Sequence, residues 1–211
     1  MTVSRNRIAG TVCALALLAI CVPAIALPGS RPAGQQAVPA DVALAIDAAG
    51  SKVHYVVSST LHTVHGEFSL KRGHLNFDPE TGQASGEIVV DAASGESGSS
   101  GRDQRMHKEI LESARFPEIV FVPDHVIGKV ALAGTSSVQV HGTFTLHGAG
   151  HELTIPVQAE ISGDHWTGKA SFDVPYIGWG LKNPSNFLFK VSPTVNISLE
   201  LTGSRKAAAG N

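Results

Sequence analysis

The side chains best suited to chemistry in this sequence are its ten histidines. Several lie close together: His62-x-x-His65, then His141, His147 and His151. Neutral imidazole is a good ligand for zinc or copper. If residues 138–161 form a hairpin with a Gly148-Ala149-Gly150 loop, His147 and His151 face each other across its end and could share an ion. That makes a weak site, because the sequence supplies no third ligand. His62 and His65 are an odd number of positions apart, so on a strand they point to opposite faces. The plainer reading places these histidines on a wet face or at a hairpin mouth, and no metal or cofactor is assigned.

Other chemistry finds less support. There is no G-x-S-x-G elbow and no phosphate-binding glycine loop. Ser97, Ser99 and Ser100 lie in the stretch ASGESGSSG (93–101), which reads as flexible solvated chain rather than as a source of nucleophiles. Glu67, Glu87, Asp91 and Asp173 fall in strand-like segments, and no spacing forces two of them together. No catalytic residue is assigned, and the chain reads as a binding protein rather than an enzyme. Arg102, Asp103 and Arg105 have two readings. Asp103 could cap a helix that starts beside it, or an arginine could pair an anionic headgroup; the cap is preferred.

The elements that would position these residues alternate with period two. Val138, Val140, Gly142, Phe144 and Leu146 share one face, with Gln139, His141, Thr143, Thr145 and His147 opposite. Leu153, Ile155, Val157, Ala159 and Ile161 repeat the pattern, and so does the run Phe187–Leu201. Weaker alternation marks Val53–Val57, Val64–Leu70, Ile88–Val90, Ile119–Val122 and Ala170–Val174. One apolar and one wet face signals antiparallel strands. One helix is expected from Arg102 to about Ala114, with Ser100 and Asp103 as a capping box and Pro117 as its stop. The implied fold is all-β: an antiparallel barrel of about eight strands with one short helix, a size that can hold a small ligand.

The N-terminus has a different character. Arg5 and Arg7 precede an apolar run, Val12–Ile20, and an Ala24-Ile25-Ala26 cleavage motif. Residues 1–26 are read as a signal peptide, which predicts a mature periplasmic protein starting at Leu27. Ile20 is too bulky for the lipid-attachment motif that Cys21 would need. Removing the segment takes both cysteines and shifts the formal charge from −2 to −4, which argues against nucleic-acid binding. Residues 27–41 read as a flexible linker, 42–203 as the barrel domain and 204–211 as a disordered tail.

Four segments then resemble one family. They are Ile46-Asp47 with Ser51–Val57 and His65–Phe68; Gly101–His107 leading to Phe116–Phe121; Val140–Gly148; and Ala170 through Gly178-Trp179-Gly180-Leu181 to Leu201. In order and spacing they are similar to the YceI-like family, exported bacterial proteins with a lipocalin-like barrel. The resemblance implies noncovalent binding of a polyisoprenoid or similar long-chain amphiphile. It assigns Phe68, Leu70, Phe121, Phe144, Ile155, Phe172, Trp179 and Phe189, taken from the apolar faces, to the ligand-lining interior. Transient membrane contact and a homodimer are compatible with it. The alternatives are a structural or stress-response protein with a filled core, and a weak histidine-based metal binder.

Overall fold

The computed structural model of the protein describes residues 42–206. The expected signal peptide, the linker up to residue 41 and the chain beyond Lys206 lie outside the described residues. Ten strand segments appear: β1 (Val42–Ile46), β2 (Lys52–Ser58), β3 (Thr63–Phe68), β4 (Leu70–Phe77), β5 (Ala84–Asp91), β6 (Glu118–Ile127), β7 (Gly134–Leu146), β8 (Ala149–Ser162), β9 (His165–Val174) and β10 (Val195–Lys206). β1 and β2 lie end to end along β10, one pairing with its last residues and the other with its first. β4 and β3 lie end to end beside them, separated by Ser69 alone. Each of these pairs acts as one interrupted strand. The result is a closed eight-stranded antiparallel barrel in which every strand pairs with its neighbour in sequence and the last closes on the first. This is the architecture expected from the alternation, and closure leaves the sheet without a free edge.

The β7–β8 hairpin shows how the pattern sets register. Thirteen pairs run from Gly134 and Ile161 to Leu146 and Ala149, placing Val140 opposite Ile155 and Phe144 opposite His151. The turn is therefore two residues, His147 and Gly148, with φ of 52° and 77°. That differs from the three-residue loop expected around Gly148-Ala149-Gly150. The reason is register: a three-residue loop would set polar Thr143 opposite Ile155 and turn one apolar face outward. Positive φ at both turn positions also matches the strand twist.

One end of the barrel is solid. Val42, Leu44, Phe77, Ile161, Trp166 and Leu201 are buried there, and the Trp166 indole donates to the Ala45 carbonyl at 3.2 Å. A β-carbon on Gly203 would collide with that carbonyl and the indole nitrogen, so only glycine lets strand and ring approach so closely.

The connections at the other end depart most from the sequence reading. The stretch 93–101 is tied down: Glu96 and Glu67 exchange backbone hydrogen bonds of 3.0 and 2.9 Å, and the Ser94 hydroxyl accepts from the Ser69 amide at 2.8 Å. The helix α1 is short, Ser100–Arg105, and widens into a π-type turn over Met106–Ile110. The expected capping box is absent: Ser99 is the N-cap and makes no side-chain cap, and Asp103 is instead engaged by Ser97. The long alternating run after Phe187 is not one strand. Pro193 cannot donate to a ladder, and regular pairing starts only at Val195. The tail boundary also moves, because Ser204, Arg205 and Lys206 continue β10 against His165, Leu44 and Ala43.

Candidate ligand cavity

An apolar cavity of about 440 Å³ opens at the end opposite Trp166. It falls within the range of roughly 300–1,000 Å³ usual for small-molecule sites. Its walls are inward-facing residues from the parts of the strands towards this end. Tyr55 and Val57 come from β2, Val64 and Phe68 from β3, and Ile119 from the start of β6. Phe144 and Leu146 end β7, Val174 ends β9, and Val195 and Ile197 begin β10. Met106, Ile110 and Leu111 close one side, as the apolar stripe of the helical segment suggests, and Tyr176 and Leu181 close another from the β9–β10 connection. Two positions deeper on β6, β9 and β2 sit Phe121, Phe172 and Val53, which belong to the packed core and form the floor.

Polar groups are confined to the rim, where Ser59, His62, Arg102, Arg105 and Asn186 stand. Arg102 donates to the Ser97 hydroxyl at 2.7 Å and to the Ser97 carbonyl at 2.9 Å, and that hydroxyl donates to Asp103. Arg105 shares Glu109 with Lys182, at 3.6 and 2.7 Å. Burial pushes the phenols of Tyr55 and Tyr176 above the ordinary tyrosine range, and Tyr176 donates to the Ser192 carbonyl at 2.9 Å. The wall chemistry is that of an uncharged, water-poor container with cations at its lip.

Of the residues singled out from sequence, Phe68, Phe144 and Phe189 line the cavity. Leu70, Phe121, Ile155 and Phe172 are core residues beneath or beside it. Trp179 lies outside the cavity wall, stacked on His151 at 4.0 Å and packed on Phe144 at 5.7 Å. Phe187, which the alternation placed inside, is almost fully exposed. The wall residues that the reading missed, such as Tyr55, Leu146, Val174 and Ile197, share one signal: each is one of the two inward positions nearest a turn at the helix-bearing end.

The histidine pair does not form. His147 sits at the turn tip, 3.3 Å from Glu112 and against the Phe116 ring at 4.3 Å. His151 turns inward to Trp179, and its buried Nε2 has no hydrogen-bond partner. The shorter turn is the cause, since it gives His147 no cross-strand partner. A different group gathers on the outer face, where His141 Nδ1 lies 2.7 Å from Asp124 and Nε2 3.4 Å from Glu152.

Comparison with known proteins places this geometry. A family model described as YceI-like domain matches residues 44–203. No curated protein sequence matches the chain. Among solved structures, BcnA of Burkholderia cenocepacia is similar at 21% identity and TM-score 0.63, covering 75% of this chain and 99% of its own. A polyisoprenoid binding domain from Saccharophagus degradans matches at 17% identity and TM-score 0.58, covering 78% and 99%. The YceI protein of Campylobacter jejuni matches at 16% and 0.51, covering 68% and 86%. At these identities the neighbours speak for the barrel alone. The family match spans nearly the whole closed barrel, and the chain belongs to the YceI-like domain family.

Proposed function

We propose that this protein is an exported, noncovalent carrier of a polyisoprenoid or similar long-chain amphiphile, held tail-first in the cavity with its polar end at the rim. The observation that carries this reading is the separation of the site into apolar walls and a cationic lip. Each methylene moved from water to those walls contributes roughly 0.8 kcal/mol, and Arg102 and Arg105 stand where an anionic or hydrogen-bonding head would rest. The polyisoprenoid binding described for the Saccharophagus degradans domain supports the same class of occupant. The reading needs no catalytic residue, cofactor or nucleic acid.

Lipid extraction and mass spectrometry of protein purified without detergent test it. A stoichiometric long-chain lipid is expected, and no lipid retained from cells or taken up from micelles would overturn it. Export follows from the Arg5/Arg7, Val12–Ile20 and Ala24-Ile25-Ala26 pattern. N-terminal sequencing of the periplasmic fraction should begin at Leu27; a chain beginning at Met1 or at a lipid-modified Cys21 contradicts it.

A further inference from the structure

The open end of the barrel carries an exposed apolar cluster. Phe187 is 95% exposed, Leu188 74%, Leu61 66% and Phe189 40%. Leu61 sits at the bend between β2 and β3, and the other three sit at the tip of the β9–β10 connection. The two loops are fastened together. Thr60 donates its amide to the Lys190 carbonyl at 2.9 Å, the Lys190 amide donates to the Thr60 hydroxyl at 3.3 Å, and the Ser192 amide donates to the Ser58 carbonyl at 2.8 Å. The tip itself is a built turn. The Asn186 side-chain oxygen accepts from the amides of Leu188 and Phe189 at 2.9 and 2.8 Å, and its own amide donates to the Phe189 carbonyl at 2.8 Å. Phe187 and Leu188 are thus held outward by a defined turn.

Isolated surface leucines are ordinary, but a rigid cluster of large apolar groups is not. Leu61 and Phe189 also line the cavity, so the exposed patch is continuous with its wall. Cations stand near it: Arg105 and Lys182 share Glu109, Arg102 is held by Ser97 beside Asp103, and Lys190 on the tip pairs with no carboxylate among the described residues. A second copy of this chain docking symmetrically on the patch would bring these cations against each other. A surface of the opposite charge with an apolar interior fits better.

We propose that this face docks on an anionic phospholipid bilayer, with Phe187 and Leu188 inserted below the headgroups and Lys190 at the phosphates. The proposal goes beyond the carrier reading and does not depend on it, because surface docking needs no occupant in the cavity. Sedimentation with vesicles of phosphatidylglycerol and phosphatidylethanolamine, compared with phosphatidylcholine alone, tests it. The protein should partition to the anionic vesicles, less so at high salt. The double variant Phe187→Ser/Leu188→Ser should partition about tenfold more weakly or worse, with an unchanged melting temperature and unchanged polyisoprenoid uptake from detergent micelles. Lys190→Glu should weaken binding and flatten its salt dependence. Phe187→Trp should show blue-shifted emission on vesicle addition. A serine double variant that binds as well as the wild type, or a wild type with no preference for anionic vesicles, overturns the proposal. A concentration-dependent dimer abolished by the serine pair, without vesicle binding, assigns the face to a second copy and also overturns it. Failure of micelle uptake by the wild type with vesicle binding intact removes the carrier reading alone.

Discussion

His141 is held between Asp124 and Glu152 on the outer wall of β6–β8, and the hydrogen bond its imidazole donates to the Asp124 carboxylate is the main reason its pKa lies above the ordinary imidazole value of 6.5. The pairing favours the imidazolium. Its contribution to stability is full below that ordinary value and fades as the pH rises through the raised one. An NMR titration should find His141 raised, and Asp124→Asn should bring it back towards 6.5. His151 poses the opposite problem, a buried ring nitrogen with no partner beneath a stacked Trp179. An apolar ring of similar shape keeps the stack and removes the unsatisfied atom. His151→Phe should therefore raise stability by about 1 kcal/mol, read as a higher melting temperature. The sequence distinguished neither histidine from its neighbours. Their roles are set by the register at one turn, which the matching of the apolar faces of β7 and β8 fixes and which neither histidine records on its own.

The strands were legible as elements because each side of β7 and β8 has a single fate, core or water. Depth along a strand was not. Phe144 and Phe172 carry the same side chain on inward faces, each two residues from the end of its strand, and both are core residues, yet only Phe144 also lines the cavity. Alternation records the face of a strand and not how far the opposite walls fill the space before it. The Phe187–Leu201 run misled for another reason: alternation reports residue type and not hydrogen bonding, while Asn186 and Pro193 convert its first part into a turn and a break. The difference in depth is testable. Ile155→Phe overpacks a filled core and should cost roughly 1–3 kcal/mol. Ile197→Phe projects into the cavity and should cost much less in the empty protein, while shortening the longest chain retained. Melting curves of delipidated variants and a lipid chain-length profile check both halves.

At the scale of the whole molecule, β10 is the closing strand: it pairs with β9, β1 and β2. A chain ending at Pro193 would lose all three pairings and expose the barrel's interior. It should lack cooperative unfolding and bind hydrophobic dyes, as circular dichroism melts and dye fluorescence would show. The eight-strand closed meander was readable from the sequence because alternating segments followed one another in order, most of them joined by short turns. The cavity was not, since it depends on how side chains from distant strands and connections fill each end together.

The position of the closing strand sets the timing of folding. The first described strand must wait for the last one, with most of the domain between them, so the pairing that completes the barrel is among the longest-range in the chain. Contacts of that span slow folding. During synthesis the earlier hairpins can form and dissolve, but the structure cannot lock until its final dozen residues have left the ribosome. Under the export proposed above, a nascent chain that stays loose until it is finished suits passage through a narrow channel. No disulfide joins the described residues, because Cys13 and Cys21 both precede them.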